Sequence, residues 1–231
     1  DHDAIVAQAE GMFGALQARP ALDFEAARFA GTERREVKDL EQVHFAMAFD
    51  GPGYRHPDVH VAQIYATAMG GGMSSRLFQK IREERGLCYS IFAQAGASED
   101  AGQITVYAGT SADEISDLMT LTMDEMKRAA EDMSDAEVAR ARAQMKAGML
   151  MGLESASSRA ERIARMLAIY GRVLDVDEVV AKIDAVTTAD VRRFAGALTE
   201  AGLTGAALGA AAFAATAFTA SIAFEPSNSA K

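Results

Sequence analysis

Apolar positions along the chain switch between a helical period and a period of two. Ile5, Met12, Phe13 and Leu16 recur at helical spacing. They predict a helix over 4–18, capped by Asp3, with that face turned to a core. ARPALD (18–23) breaks the pattern. Val43, Phe45, Met47 and Phe49 then alternate with His44, Ala46 and Ala48, which predicts a half-buried strand over 43–49. A strand over 33–37 is expected before it. Two more are expected over 88–94 and 103–109, joined by a hairpin loop at 95–102. Between the strand pairs, Pro57 opens a helix that reaches 69. A short helix from Ser74 or Ser75 to about Arg85 follows. Leu77, Phe78 and Ile81 form its apolar edge, and Gly86 stops it.

The rest of the pattern is helical. One helix is predicted over 112–131, with Ile115, Leu118, Met119 and Met126 inward. The next starts at Ser134, which stands three residues before Glu137 in capping-box spacing, and runs to 152. Others are predicted over 157–170 (ended by Gly171), over 176–183, and from 188, with Thr188 as cap. Strands in pairs with helices around them give an α+β fold, an antiparallel sheet covered on one side by helices.

Residues 1–200 show no linker or internal repeat and read as one domain. An Ala-rich tail, 201–231, follows, and AFTASIAFEP (217–226) within it is a candidate strand. The apolar run 206–218 is too short and too rich in Ala and Gly for a membrane span. A formal net charge of −10 speaks against nucleic acid as a partner. Arg34, Arg35 and Lys38 alternate with Glu33, Glu36 and Asp39 as a solvated face. Cys88 is the one cysteine, so no intrachain disulfide forms. This usage points to the cytoplasm, with the periplasm as the alternative if the chain is a fragment.

Four features carry candidate chemistry. Gly70–Gly72 precede a helix, but no Lys-Ser or Lys-Thr pair follows and a helix, not a strand, leads in. They therefore read as a helix–helix connection in conformations suited to glycine rather than as a phosphate loop. His56 and His60 are four apart, but Pro57 biases His56 out of the helix and no glutamate lies between them. Cys88 lacks an accompanying histidine pattern and reads as a small buried hydrophobe. The twelve methionines read mostly as core filler. Arg82 and Tyr89, seven apart around Gly86, can project to one edge of the sheet. There they would hold a peptide carbonyl or carboxylate, or else form an ordinary surface ion pair and a half-buried tyrosine.

The stretch RHPDVHVAQIYATAMGGGMSSRLFQKIREERGLCYSIFA (55–93) resembles the pitrilysin and mitochondrial processing peptidase superfamily of zinc metalloendopeptidases, the inverzincins. EQVHFAMAFDG (41–51) and residues 133–166 are similar too, so the resemblance covers about 1–200. The zinc motif of that superfamily, H-x-x-E-H, is absent from this sequence. The resemblance is to the C-terminal, non-zinc domain. It implies that Arg82 and Tyr89 bind substrate at the scissile bond, Arg85 being wrongly spaced for the role. It also implies that zinc is supplied by a homologous domain or subunit, and that the complete enzyme is a dimer of halves cleaving unfolded peptides or presequences. By the same resemblance a strand stands just upstream of Asp1, missing here or replaced by the tail. The alternative is a non-catalytic structural subunit.

Overall fold

Alternation in β1 (Val43–Gly51) puts Val43, Phe45 and Phe49 on one face of a sheet and His44, Ala46 and Ala48 on the other. In this computed structural model, which describes residues 1–17 and 25–206, β1 pairs with β3 (Gly102–Thr110). β3 in turn pairs with β2 (Ser90–Ala97), both antiparallel, in the order β1-β3-β2. Ile91 and Ala93 from β2, and Ile104, Val106 and Ala108 from β3, complete the buried face. His44, Phe92 and Tyr107 lie on the opposite face.

Helices cover the apolar face. α1 (His2–Phe13) precedes β1, and α2 (Val59–Gly70) follows it. After a π-helix (Phe78–Glu83) and the β2–β3 hairpin come α3 (Ile115–Asp132), α4 (Asp135–Gly152), α5 (Ala156–Tyr170), α6 (Val176–Ala185) and α7 (Thr188–Ala206). The core joins Ile64, Tyr65 and Met69 of α2 and Leu118 and Met126 of α3 with Val191, Phe194 and Leu198 of α7. Tyr65 packs edge-on against Phe194, with ring centroids 5.5 Å apart. The α+β architecture expected from the strand pairs is present. So are the helix ends at Gly86 and Gly171, whose φ values of 68° and 70° are the left-handed ones glycine favours.

Several expectations are corrected. Residues 33–37 form no strand. The segment is charged at nearly every position and Val37 is exposed, so it has no apolar face to bury; Arg35–Glu33 and Lys38–Glu36 pair within it instead. α1 is capped by Asp1, not Asp3, and buries none of its residues, so Ile5, Met12, Phe13 and Leu16 face no core. Asp190 N–H donates to Thr187 Oγ1, making Thr187 the cap of α7, while Thr188 Oγ1 donates to Asp135 of α4. Met69, Met126 and Met133 fill the core, but Met12, Met73 and Met151 are exposed. The candidate strand at 217–226, and Ala18 to Asp23, lie outside the described residues.

None of Gly70–Gly72 has a positive φ, and Gly70 is needed for a different reason from the expected one. A Cβ on Gly70 would stand 2.1 Å from the Ala93 backbone nitrogen. The end of α2 therefore touches β2 backbone to backbone. Gly70→Ala should destabilise the fold by about 3 kcal/mol, because backbone rather than a pliable side chain must move. Urea unfolding checks this, and wild-type stability in the variant would refute the close contact.

Arg76, just ahead of the π-helix, locks this region to α4. Its Nε and Nη2 each donate to Glu137 at 2.9 Å, and Nη1 donates to Asp132. Glu137 also closes the expected capping box with Ser134. Burial alone would raise the Glu137 carboxyl, but the hydrogen bonds from Arg76 and Ser134 outweigh it and hold the pKa at about 2, below the ordinary 4.5. A depressed carboxylate contributes stability that is complete above 4.5 and is lost as pH falls toward 2. Glu137→Gln should therefore cost about 3 kcal/mol at pH 7. The gap from wild type should close between pH 4.5 and 2 in urea titrations.

Candidate functional site

Leu77 and Ile81 are fully buried and anchor the segment that carries Arg82. The helix expected over this stretch is wider than an α-helix. Glu84 N–H reaches back five residues to Gln79 O at 2.9 Å, in π geometry. Such wide turns re-aim side chains and concentrate at functional sites. Gly86 then reverses the chain. Thr110 Oγ1 holds the Leu87 carbonyl, and Tyr89 N–H donates to Gly109 O at 3.1 Å. Both ends of the loop between Arg82 and Tyr89 are thus fixed to the core.

The structure brings Arg82 and Tyr89 together. Arg82 Nε donates to the Tyr89 carbonyl at 2.8 Å, and its guanidinium lies 6.0 Å from the Tyr89 ring. Nη1 donates to Glu83 at 2.6 Å. Among the described residues, Nη2 and the Tyr89 hydroxyl make no hydrogen bond. Tyr89 is 76% exposed. The ion pair with Glu83 is solvent-accessible and hence weak. Arg85 is exposed and takes no part.

Phe78 is a supporting residue that sequence reasoning assigned only to the apolar edge. The Arg82 guanidinium stacks 4.5 Å above its ring. The four-residue spacing from Phe78 to Arg82 was legible; the π geometry was not. A second group went unforeseen. His44 Nδ1 and the Tyr107 hydroxyl are 2.6 Å apart, and Tyr107 stacks on Phe92 at 5.0 Å.

The residues present do not fit a zinc ion. His56 Nδ1 accepts from Asp58 N–H, and His60 Nδ1 meets Gln63, so each ring has a partner within its own segment. Burial also lowers the His60 pKa. Among the described residues no group of three or more His, Cys, Asp and Glu is placed to hold a metal. In the glycine loop the Gly71 N–H donates to Thr67 O at 2.9 Å and the Ser75 N–H to Gly72 O at 3.0 Å, so these two donors are not turned to an anion. No described helix is long and apolar enough to cross a membrane.

The sequence of the Peptidase M16 inactive domain matches residues 1–145. This chain belongs to the M16 peptidase family. The match is to the family's C-terminal, inactive domain. A relative in Rickettsia bellii described as an uncharacterized zinc protease is 33% identical over 207 residues, covering 87% of this chain and 50% of its own. The uncharacterized zinc protease YmxG of Bacillus subtilis is 30% identical over 85% of this chain and 48% of its own. A chain in a solved complex III2 from Candida albicans, bound to Inz-5, superimposes with a TM-score of 0.73 at 25% identity. That likeness covers 85% of this chain and 49% of the other. The M16 domain described here spans about half the length of the curated relatives it matches.

Cys88, beside the Arg82–Tyr89 loop in this M16 domain, is buried, and its thiol is pushed up to about 11 by that burial. At pH 8 only about one thiol in a thousand is then ionised. Cys88 should react slowly with a chromogenic disulfide reagent at pH 8 in the folded protein and at once in guanidinium. Fast reaction of the folded chain would contradict its burial.

Proposed function

We propose that this chain is the substrate-orienting half of a zinc metalloendopeptidase acting on unfolded peptides or presequences. A homologous zinc-bearing half supplies the metal, and the two form a dimer of halves. The observation that carries the reading is the exposed Tyr89 beside an Arg82 guanidinium whose Nη2 has no partner among the described residues. The two groups present an N–H and an O–H from one rigid loop. They receive the scissile carbonyl and stabilise the negative charge that grows on its oxygen. Phe78 fixes the plane of the guanidinium. On this reading the chain binds and orients the peptide, and cleavage belongs to the zinc-bearing half. The functional domain is carried by residues 1–200, with α7 running on to Ala206 into the segment 201–231, and the cytoplasm is the compartment suggested by cysteine usage.

The test is reconstitution with the H-x-x-E-H-bearing half from the same source, using a quenched peptide. Arg82→Ala should lower kcat/KM about 100-fold and Tyr89→Phe about tenfold or more, mostly through kcat. The chain alone should give no chelator-sensitive cleavage. Unchanged kcat/KM in both variants would overturn the clamp. The likeness to a chain of complex III2 supports a second reading, a non-catalytic structural subunit. Absence of any activity on reconstitution would favour it.

A further inference from the structure

α5 is amphipathic yet buries none of its residues. Arg159, Ile163, Leu167 and Tyr170 fall in one line along it, four, four and three residues apart. Ile163 is 45% exposed and Leu167 50%. The helix is nevertheless tied to the domain. Arg55 donates from Nε and Nη2 to the Ile169 carbonyl at 3.0 and 2.5 Å. The Tyr170 hydroxyl donates to Tyr54 O at 3.2 Å, and Arg162 Nη2 to Leu174 O at 3.0 Å. These polar contacts fix the helix without covering its apolar line, which is an unusual investment of order for a free surface.

We propose that the apolar line of α5 is the docking surface for the zinc-bearing half, a proposal that rests on the reading above. The relatives hold about as much chain again as this domain. So does the chain in the solved complex III2. A second body of this size is the occupant whose existence the comparisons support. Ile163 and Leu167 enter an apolar depression on it. Arg159 makes no ion pair among the described residues and meets an acidic group at the rim.

The test mixes this chain with the H-x-x-E-H-bearing half as a separate chain and follows association by sedimentation velocity. Ile163→Glu/Leu167→Glu should weaken binding at least about tenfold. Its circular dichroism and Tm should stay at wild-type values, because neither side chain is buried. Arg159→Glu, a milder second variant, should weaken binding more at low salt than at high salt. Arg82→Ala should bind as wild type while losing about 100-fold in kcat/KM. Binding unaltered in both α5 variants would overturn this interface and leave the functional reading standing. Self-association of this chain that the same variants abolish would also overturn it, by showing a second copy on the line. Failure of the wild-type chain to bind the zinc-bearing half at all would overturn the functional reading and this proposal together.

Discussion

The helical layer lies against the sheet as closely as it does because residue 70 has no side chain. Where α2 ends, its backbone meets that of β2 at Ala93. A methyl group there would lever the two apart. The separation matters because α2 carries Ile64, Tyr65 and Met69 into the core, and α7 and α4 pack on α2 in turn. Among the described residues the buried Tyr65 hydroxyl has no hydrogen-bond partner, which shows how far apolar packing decides this interface. The same contact sets where the chain emerges from α2, and therefore where the next turn of helix begins.

That next turn carries Arg82 of the proposed clamp. Leu77 and Ile81 sink into the core, and Arg76 bonds to α4, so the π-helix has little freedom. Gly86, Thr110 and Gly109 then return the chain to the sheet within a few residues. Tyr89 is exposed and Arg82 half-buried, and the return of the loop is tied to β3 through the Leu87 carbonyl and the Tyr89 N–H. Such a pair can meet a developing charge without reorganising, which is what makes fixed donors effective in catalysis.

Two helices stand apart from this economy. α1 and α5 both carry apolar side chains that no described residue buries. Elsewhere the domain covers its apolar faces well, from the sheet to α3 and α7. The contrast between a closed core and two uncovered helices fits a unit that works against another of similar size, as the lengths of its relatives suggest.

Much of this was legible in the sequence. The alternation of Val43, Phe45 and Phe49, the Ser134–Glu137 box and the terminal Gly86 and Gly171 follow from local backbone and side-chain chemistry. Local patterns of this kind survive folding because the same few residues that make them also satisfy them. The seven-residue interval from Arg82 to Tyr89 could likewise be read, since a glycine between them permits only a short return. The sequence did not disclose that 33–37 lacks a strand partner or that the apolar side of α1 meets nothing. Nor did it show that Gly70 is required by β2 rather than by its own φ. Each of these depends on what stands opposite in space, and distance along the chain does not encode that. The residue types and their spacing determined the α+β class and the Arg–Tyr pair. Only the tertiary structure decided which apolar faces are covered and how the pair is aimed, because burial is a property of two surfaces and a sequence describes one at a time.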